Sequence, residues 1–97
     1  MHISNFQKLM KEIYFQRDSE RGTPLTFIWF TEEVGEFAKA LRCEDKKVLE
    51  GEVADVLAWL CSICNLLNID LEDAAANKYH GKCPRCGKVP CVCDDLI

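Results

Sequence analysis

Two acidic clusters, Glu32-Glu33-x-x-Glu36 and Glu52-x-x-Asp55, are the residues of this chain best suited to chemistry, with fifteen residues between them. Carboxylates three residues apart on a helix lie on one side, a turn above one another. Two such pairs on neighbouring helices would surround one point with oxygen donors. Hard divalent cations, Mg²⁺ above all, want that donor set, and Mg²⁺ commonly bridges onward to substrate phosphates. The expected chemistry is Mg²⁺-dependent reaction at a phosphate.

The elements that must carry these residues are helical. From Val48 to Leu67, at about 100° per residue, Glu52 and Asp55 share a face with Val48, Trp59, Ile63 and Leu66. The opposite arc holds Val53, Leu57, Leu60 and Cys64. A helix apolar nearly all round is expected to be buried, and buried carboxylates are costly unless paired, hydrogen-bonded or metal-bound. Lys46 and Lys47 open this segment and no further basic residue follows before Lys78. A cation is therefore the expected partner.

Three other helices frame this one. Ser4, with Gln7 three residues on, predicts a helix start; Phe6, Leu9, Met10, Ile13 and Tyr14 form its apolar stripe to about Arg17. Asp18 to Gly22 reads as a charged connector. Thr23 as N-cap and Pro24 at the first helical position open a second helix to about Arg42, striped by Phe27, Phe30, Val34, Ala38 and Leu41. A third runs from Asp45 to about Leu67, with a strip of small residues at Gly51, Ala54 and Ala58. Asp70 caps a fourth, which ends near His80 with Gly81 as its C-cap. No strand pattern competes, so the class is all-α, a four-helix bundle-like domain over residues 1–81 followed by a cysteine-rich tail over 82–97.

Ninety-seven residues with a net charge of −4 make one domain and disfavour nucleic acid or an anionic membrane as partner. No apolar run reaches transmembrane length, because Asp55 and Asn65 interrupt the most hydrophobic stretch. The polar start carries no leader signal, and a cytoplasmic protein is expected. So small a domain, with a helix apolar on both sides, is expected to form a homo-oligomer.

Seven cysteines fall into two groups. Cys61 and Cys64, mid-helix in an apolar run, read as buried small side chains rather than a redox pair. Cys83-Pro84-Arg85-Cys86-Gly87 has the form of a zinc knuckle, and Cys91 and Cys93 would complete four thiolates for Zn²⁺. The gap of four residues between Cys86 and Cys91 is short for a two-knuckle ribbon, which leaves local disulfides or free thiols as alternatives.

Glu32-Glu33-Val34-Gly35-Glu36 followed by Glu52-Val53-Ala54-Asp55 resembles the E-E-x-x-E…E-x-x-D signature of MazG-like nucleotide pyrophosphohydrolases, and the resemblance runs over roughly residues 4–80. It implies an all-α fold, a homodimer or a dimer of dimers, and Mg²⁺-dependent hydrolysis of (d)NTP to (d)NMP and pyrophosphate by metal-activated water. The implied Mg²⁺ ligands are Glu33, Glu36, Glu52 and Asp55, the pairs already found by spacing. Glu32, about 100° round the helix from Glu33, could orient a ligand, act as base toward a metal-bound water, or simply face solvent. Trp29, one turn before Glu33, is a candidate to flank a nucleobase, with packing as the alternative. Asn77 and Lys78 stand where relatives contact phosphates, although Tyr79-His80-Gly81 replaces the further basic residues that often follow. His80 reads as a helix-end residue. A metal-stabilised interaction module with the cysteine tail as contact is the reading of a different class; it would show no turnover.

Overall fold

The computed structural model describes residues 1–94, so the last three residues of the expected tail lie outside the described residues. Four helices follow one another: α1 (Ile3–Arg21), α2 (Thr23–Ala40), α3 (Lys46–Leu66) and α4 (Leu71–Lys78). No strand occurs among the described residues. Helix α3 is central, packing against both α1 and α2, while α4 packs on α1. No single helix is long and apolar enough to cross a membrane.

The expected starts of α3 and α4 hold. Asp45 Oδ1 accepts from the amides of Lys47 (3.0 Å) and Val48 (3.4 Å), and Asp70 Oδ1 accepts from Asp73 N–H at 2.9 Å. Between them Asn68 takes a left-handed φ of 56°. The amide of Ile69 reaches back to the Cys64 carbonyl at 2.9 Å and that of Asn68 to Asn65 at 3.3 Å, the Schellman closure that Asn tolerates.

The first half of the chain departs from the sequence expectation. Helix α1 does not stop at Arg17 but continues to Arg21, and Gly22 alone separates it from α2, taking the cap position expected of Thr23. The Asp18–Arg21 ion pair, at 2.8 Å, spans the last turn. Gly22, at φ 88°, donates to the Asp18 carbonyl (2.8 Å) and accepts from Thr26 N–H (3.1 Å) and Oγ1 (2.8 Å). Such a φ suits glycine. The cap expected at Ser4 is displaced to His2, whose amide bonds Asn5 Oδ1 at 3.2 Å. Ser4 N–H instead meets Glu72 Oε1 at 3.1 Å. At the other end α2 stops at Ala40, short of Arg42, and α4 stops at Lys78 with Tyr79 as its cap. Gly81 is therefore not the C-cap.

The packing faces also differ. On α1 the buried residues are Gln7, Met10 and Asp18, while Leu9, Ile13 and Tyr14 stay exposed. Gln7 turns inward because its amide satisfies the α3–α4 turn. Its Nε2 donates to Asn65 Oδ1 (3.0 Å) and the Ile69 carbonyl (2.7 Å), and its Oε1 accepts from Leu71 N–H (2.9 Å). Helix α3 is buried around its circumference only from Cys61 to Cys64. Val48 and Val53 are exposed, as are Phe27, Val34 and Leu41 of the α2 stripe. The expectation of a fully buried α3 fails for the single chain.

Candidate active site

Helices α2 and α3 bring the two acidic motifs together. Trp29 of α2 stacks on Trp59 of α3, with ring centroids 6.2 Å apart and planes at 18°. One turn further along α2 and one turn back along α3, carboxylate oxygens of Glu33, Glu52 and Asp55 all lie within 4.8 Å of one another. The pairing of 29 with 59 and 33 with 55 makes the helices antiparallel, so each i, i+3 spacing becomes a position across a common seam.

This group is not the buried quartet expected from the sequence. Glu33 and Glu52 are half-buried and Asp55 is exposed. Glu36, one turn along α2, is exposed and outside the group of three; Glu32 is exposed as well. The premise of costly burial therefore weakens, and mutual repulsion replaces it as the argument for a cation. Burial, followed by the charges of Asp55, Glu52, Glu36 and Glu32, raises the Glu33 carboxyl above its ordinary value of 4.5. Four neighbouring anions around Glu33, with no ion pair to a basic residue among the described residues, fit a divalent cation with oxygen preference.

The sign of the Glu33 shift gives a pH dependence. Between 4.5 and the raised value, the folded state holds more protons than the unfolded one. Stability falls as pH rises through that window, and the penalty is complete above it. In chelator, thermal unfolding of the wild type should show this fall, and Glu33→Gln should flatten it and melt higher at neutral pH. Identical pH profiles for the two proteins would contradict the repulsive cluster.

Beside the carboxylates lies a cavity of about 210 Å³ whose lining includes Asp55, Trp59, Tyr14, Asp18 and Arg21. The Arg21 guanidinium stands 5.0 Å from the Trp59 ring centroid. Trp29, 42% exposed, is thus half of a tryptophan pair at the site's edge rather than a core residue. Sequence reasoning missed Asp18, Arg21 and Tyr14. The i, i+3 spacing of Asp18 and Arg21 was the available signal, obscured by reading that segment as a connector.

Asn77 and Lys78 are exposed and do not line this cavity. Lys78 lines another, with His80, Lys82, Arg85 and the first knuckle. Cys61 and Cys64 are buried, as expected. Burial, then Cys64, pushes the Cys61 thiol up to about 11, and burial raises Cys64, so neither is a ready nucleophile.

The tail brings its four cysteines together, with Sγ atoms of Cys83, Cys86, Cys91 and Cys93 all within 4.8 Å of one another. Cys83 lies 3.8 Å from Cys93, and Cys86 lies 3.9 Å from Cys91. None is in a disulfide. The knuckle closes through Gly87 N–H to the Cys83 carbonyl (2.8 Å), with Gly87 at φ 73°. Backbone amides, Cys86 first and then Arg85, lower the Cys83 thiol to about 6. The Val92 amide, then that of Lys88, lowers Cys86, while hydrogen bonding with Cys91 and Cys86 raises Cys93 to about 12.

Comparison with known proteins bears on residues 23–87, which match the family model of the MazG nucleotide pyrophosphohydrolase domain. No curated protein matches the chain. The matched span holds both acidic motifs, both tryptophans and the first knuckle.

Proposed function

Since the chain belongs to the MazG nucleotide pyrophosphohydrolase domain family, we propose that it is a Mg²⁺-dependent hydrolase that splits nucleoside triphosphates into the monophosphate and pyrophosphate. The observation that carries this reading is the meeting of Glu33, Glu52 and Asp55 from two helices within 4.8 Å. Carboxylate oxygens suit Mg²⁺, and Glu33, Glu52 and Asp55 are the residues that would hold it. When bound, Mg²⁺ supplies a lowered water pKa and neutralises charge on phosphoryl oxygens.

The protein's own residues do the rest. Glu33, Glu52 and Asp55 would hold the cation, and Glu36, whose charge also acts on Glu33, is the fourth candidate ligand. Glu32, exposed beside Glu33, offers a carboxylate that can take a proton from the attacking water. Trp59, with Trp29 stacked on it, borders the adjoining cavity, where the nucleoside would sit. A panel of nucleoside triphosphates with Mg²⁺, with pyrophosphate and orthophosphate measured separately, tests the reading. Pyrophosphate alone is expected; no release from any nucleotide would favour the non-catalytic module.

A second copy of the chain is the proposed partner. The chain exposes 7444 Å², against about 5,700 Å² for a compact monomer of its mass. Its radius of gyration is 15.7 Å, against about 12.5 Å for a compact domain of this length. The excess exceeds the roughly 800 Å² per partner of an ordinary interface, and it includes a groove lined by Phe37, Leu41, Leu49 and Val53 that is almost wholly apolar. Sedimentation at micromolar concentration should show a homodimer or a dimer of dimers, and Val53→Asp should shift it toward monomer. A stable wild-type monomer would overturn the assignment.

The donor set of the tail supports structural Zn²⁺. Tetrahedral Zn–S bonds of about 2.3 Å put thiolates about 3.8 Å apart, the separations seen for both cysteine pairs. Lys82, Arg85 and Lys88 surround the sulfurs in sequence and offset the charge of four thiolates.

A further inference from the structure

Asp18 is a carboxylate with an unfinished set of partners. It is 2% exposed, its Oδ1 accepts from Arg21 Nη1 at 2.8 Å, and its Oδ2, equally shielded, has no hydrogen-bond partner. A buried acceptor left without a donor is destabilising, and more so when charged. Arg21 cannot readily relieve it, because the same Nη1 also reaches Thr26 Oγ1 at 3.4 Å and the guanidinium is held over Trp59.

Asp18 lines the 210 Å³ cavity that Asp55 also lines. That volume is below the roughly 300–1,000 Å³ of pockets for drug-sized ligands. It suits one ring system, with a phosphate chain left outside toward the carboxylates. A ligand that bridges the two ends would meet the cation group through its phosphates and Asp18 through its base.

We propose that Asp18 reads the nucleobase, selecting bases with an exocyclic amine at the pyrimidine 4 or purine 6 position over their oxo counterparts. The inference rests on the proposed nucleotide site and adds its substrate class. An ionised carboxylate only accepts hydrogen bonds. Cytosine and adenine present an N–H₂ donor at that position, whereas uracil and thymine present a carbonyl acceptor. An oxo base would therefore set two acceptors against each other in a buried site, the kind of mismatch that discriminates far better than a missing methylene.

Of the chain's two tryptophans, Trp59 lines this cavity and Trp29 stacks on Trp59, so intrinsic fluorescence reports its occupancy. Full-length protein titrated with CMP and with UMP should be quenched by both, with the CMP dissociation constant lower by at least about tenfold; AMP against IMP should repeat the order. Asp18→Asn, checked for helicity by circular dichroism, should bring the CMP/UMP ratio to about one or reverse it, since an amide can donate to the uracil carbonyl. Equal affinities in the wild type, no quenching by any monophosphate, or an unchanged ratio in a folded Asp18→Asn would overturn the inference and leave Oδ2 to a bound water. The wild-type pairs decide the matter even if the variant fails to fold. Discrimination without pyrophosphate release from any triphosphate would instead overturn the proposed reaction alone.

Discussion

Asp55→Asn should lower Mg²⁺-dependent pyrophosphate release by at least about 100-fold while the helices persist. The change keeps the size of the side chain and removes one of the three charges grouped within 4.8 Å. Since Asp55 is exposed, no buried contact is lost and the fold has little reason to suffer. The apo protein should melt no lower than the wild type, because repulsion toward Glu33 is relieved. The separation between cation binding and folding is read from Mg²⁺ itself. A cation at about a hundred times its dissociation constant stabilises the wild type by about 2.7 kcal/mol, and the variant should lose that gain. Glu36→Gln is the informative neighbour: an equal loss would show that its side chain joins the three when the cation binds. Full activity in Asp55→Asn would remove the assigned site.

The acidic seam was legible because helix spacing and residue type agree there. Glu33, Glu52 and Asp55 follow from two i, i+3 patterns, and the caps at Asp45 and Asp70 fix where α3 and α4 begin. The antiparallel register that pairs Trp29 with Trp59 was not legible, since it depends on how the turn over residues 41–45 folds back. The α1–α2 junction was misread for a related reason. A charged segment ending in glycine looks like a connector, but Asp18 and Arg21 pair along a helix turn and turn inward at the site. The inward face of α1 was missed because Gln7, a polar residue, completes the backbone bonding of a distant turn. Apolar periodicity marks faces that shun water without saying whether the same chain covers them. Phe27, Val34 and Leu41 of α2 remain uncovered by their own chain.

The tail should hold about one zinc per chain, and thiol reactivity can count its ligands. Cys61 and Cys64 are buried with raised thiols, so they should react slowly throughout. Cys43 is exposed and outside the cluster, so it alone should react fast in zinc-loaded protein. A strong chelator should free the tail cysteines and raise the fast class from one thiol to four, Cys43 with Cys83, Cys86 and Cys91, while Cys93, its thiol raised to about 12, follows slowly. Cys86→Ser should reduce the bound zinc to near zero, because a structural site with a ligand missing loses its closed four-coordinate shell. The helices should be unaffected, since all four end by Lys78, before the first knuckle cysteine. Removing residues 82–97 should likewise leave the Mg²⁺-dependent reaction in place, as Glu33, Glu52 and Asp55 all precede the cut. Four fast thiols in freshly purified protein with no zinc would contradict the site. Loss of nucleotide hydrolysis in a truncated chain that still folds and assembles would give the tail a second task, closing the site formed by α2 and α3.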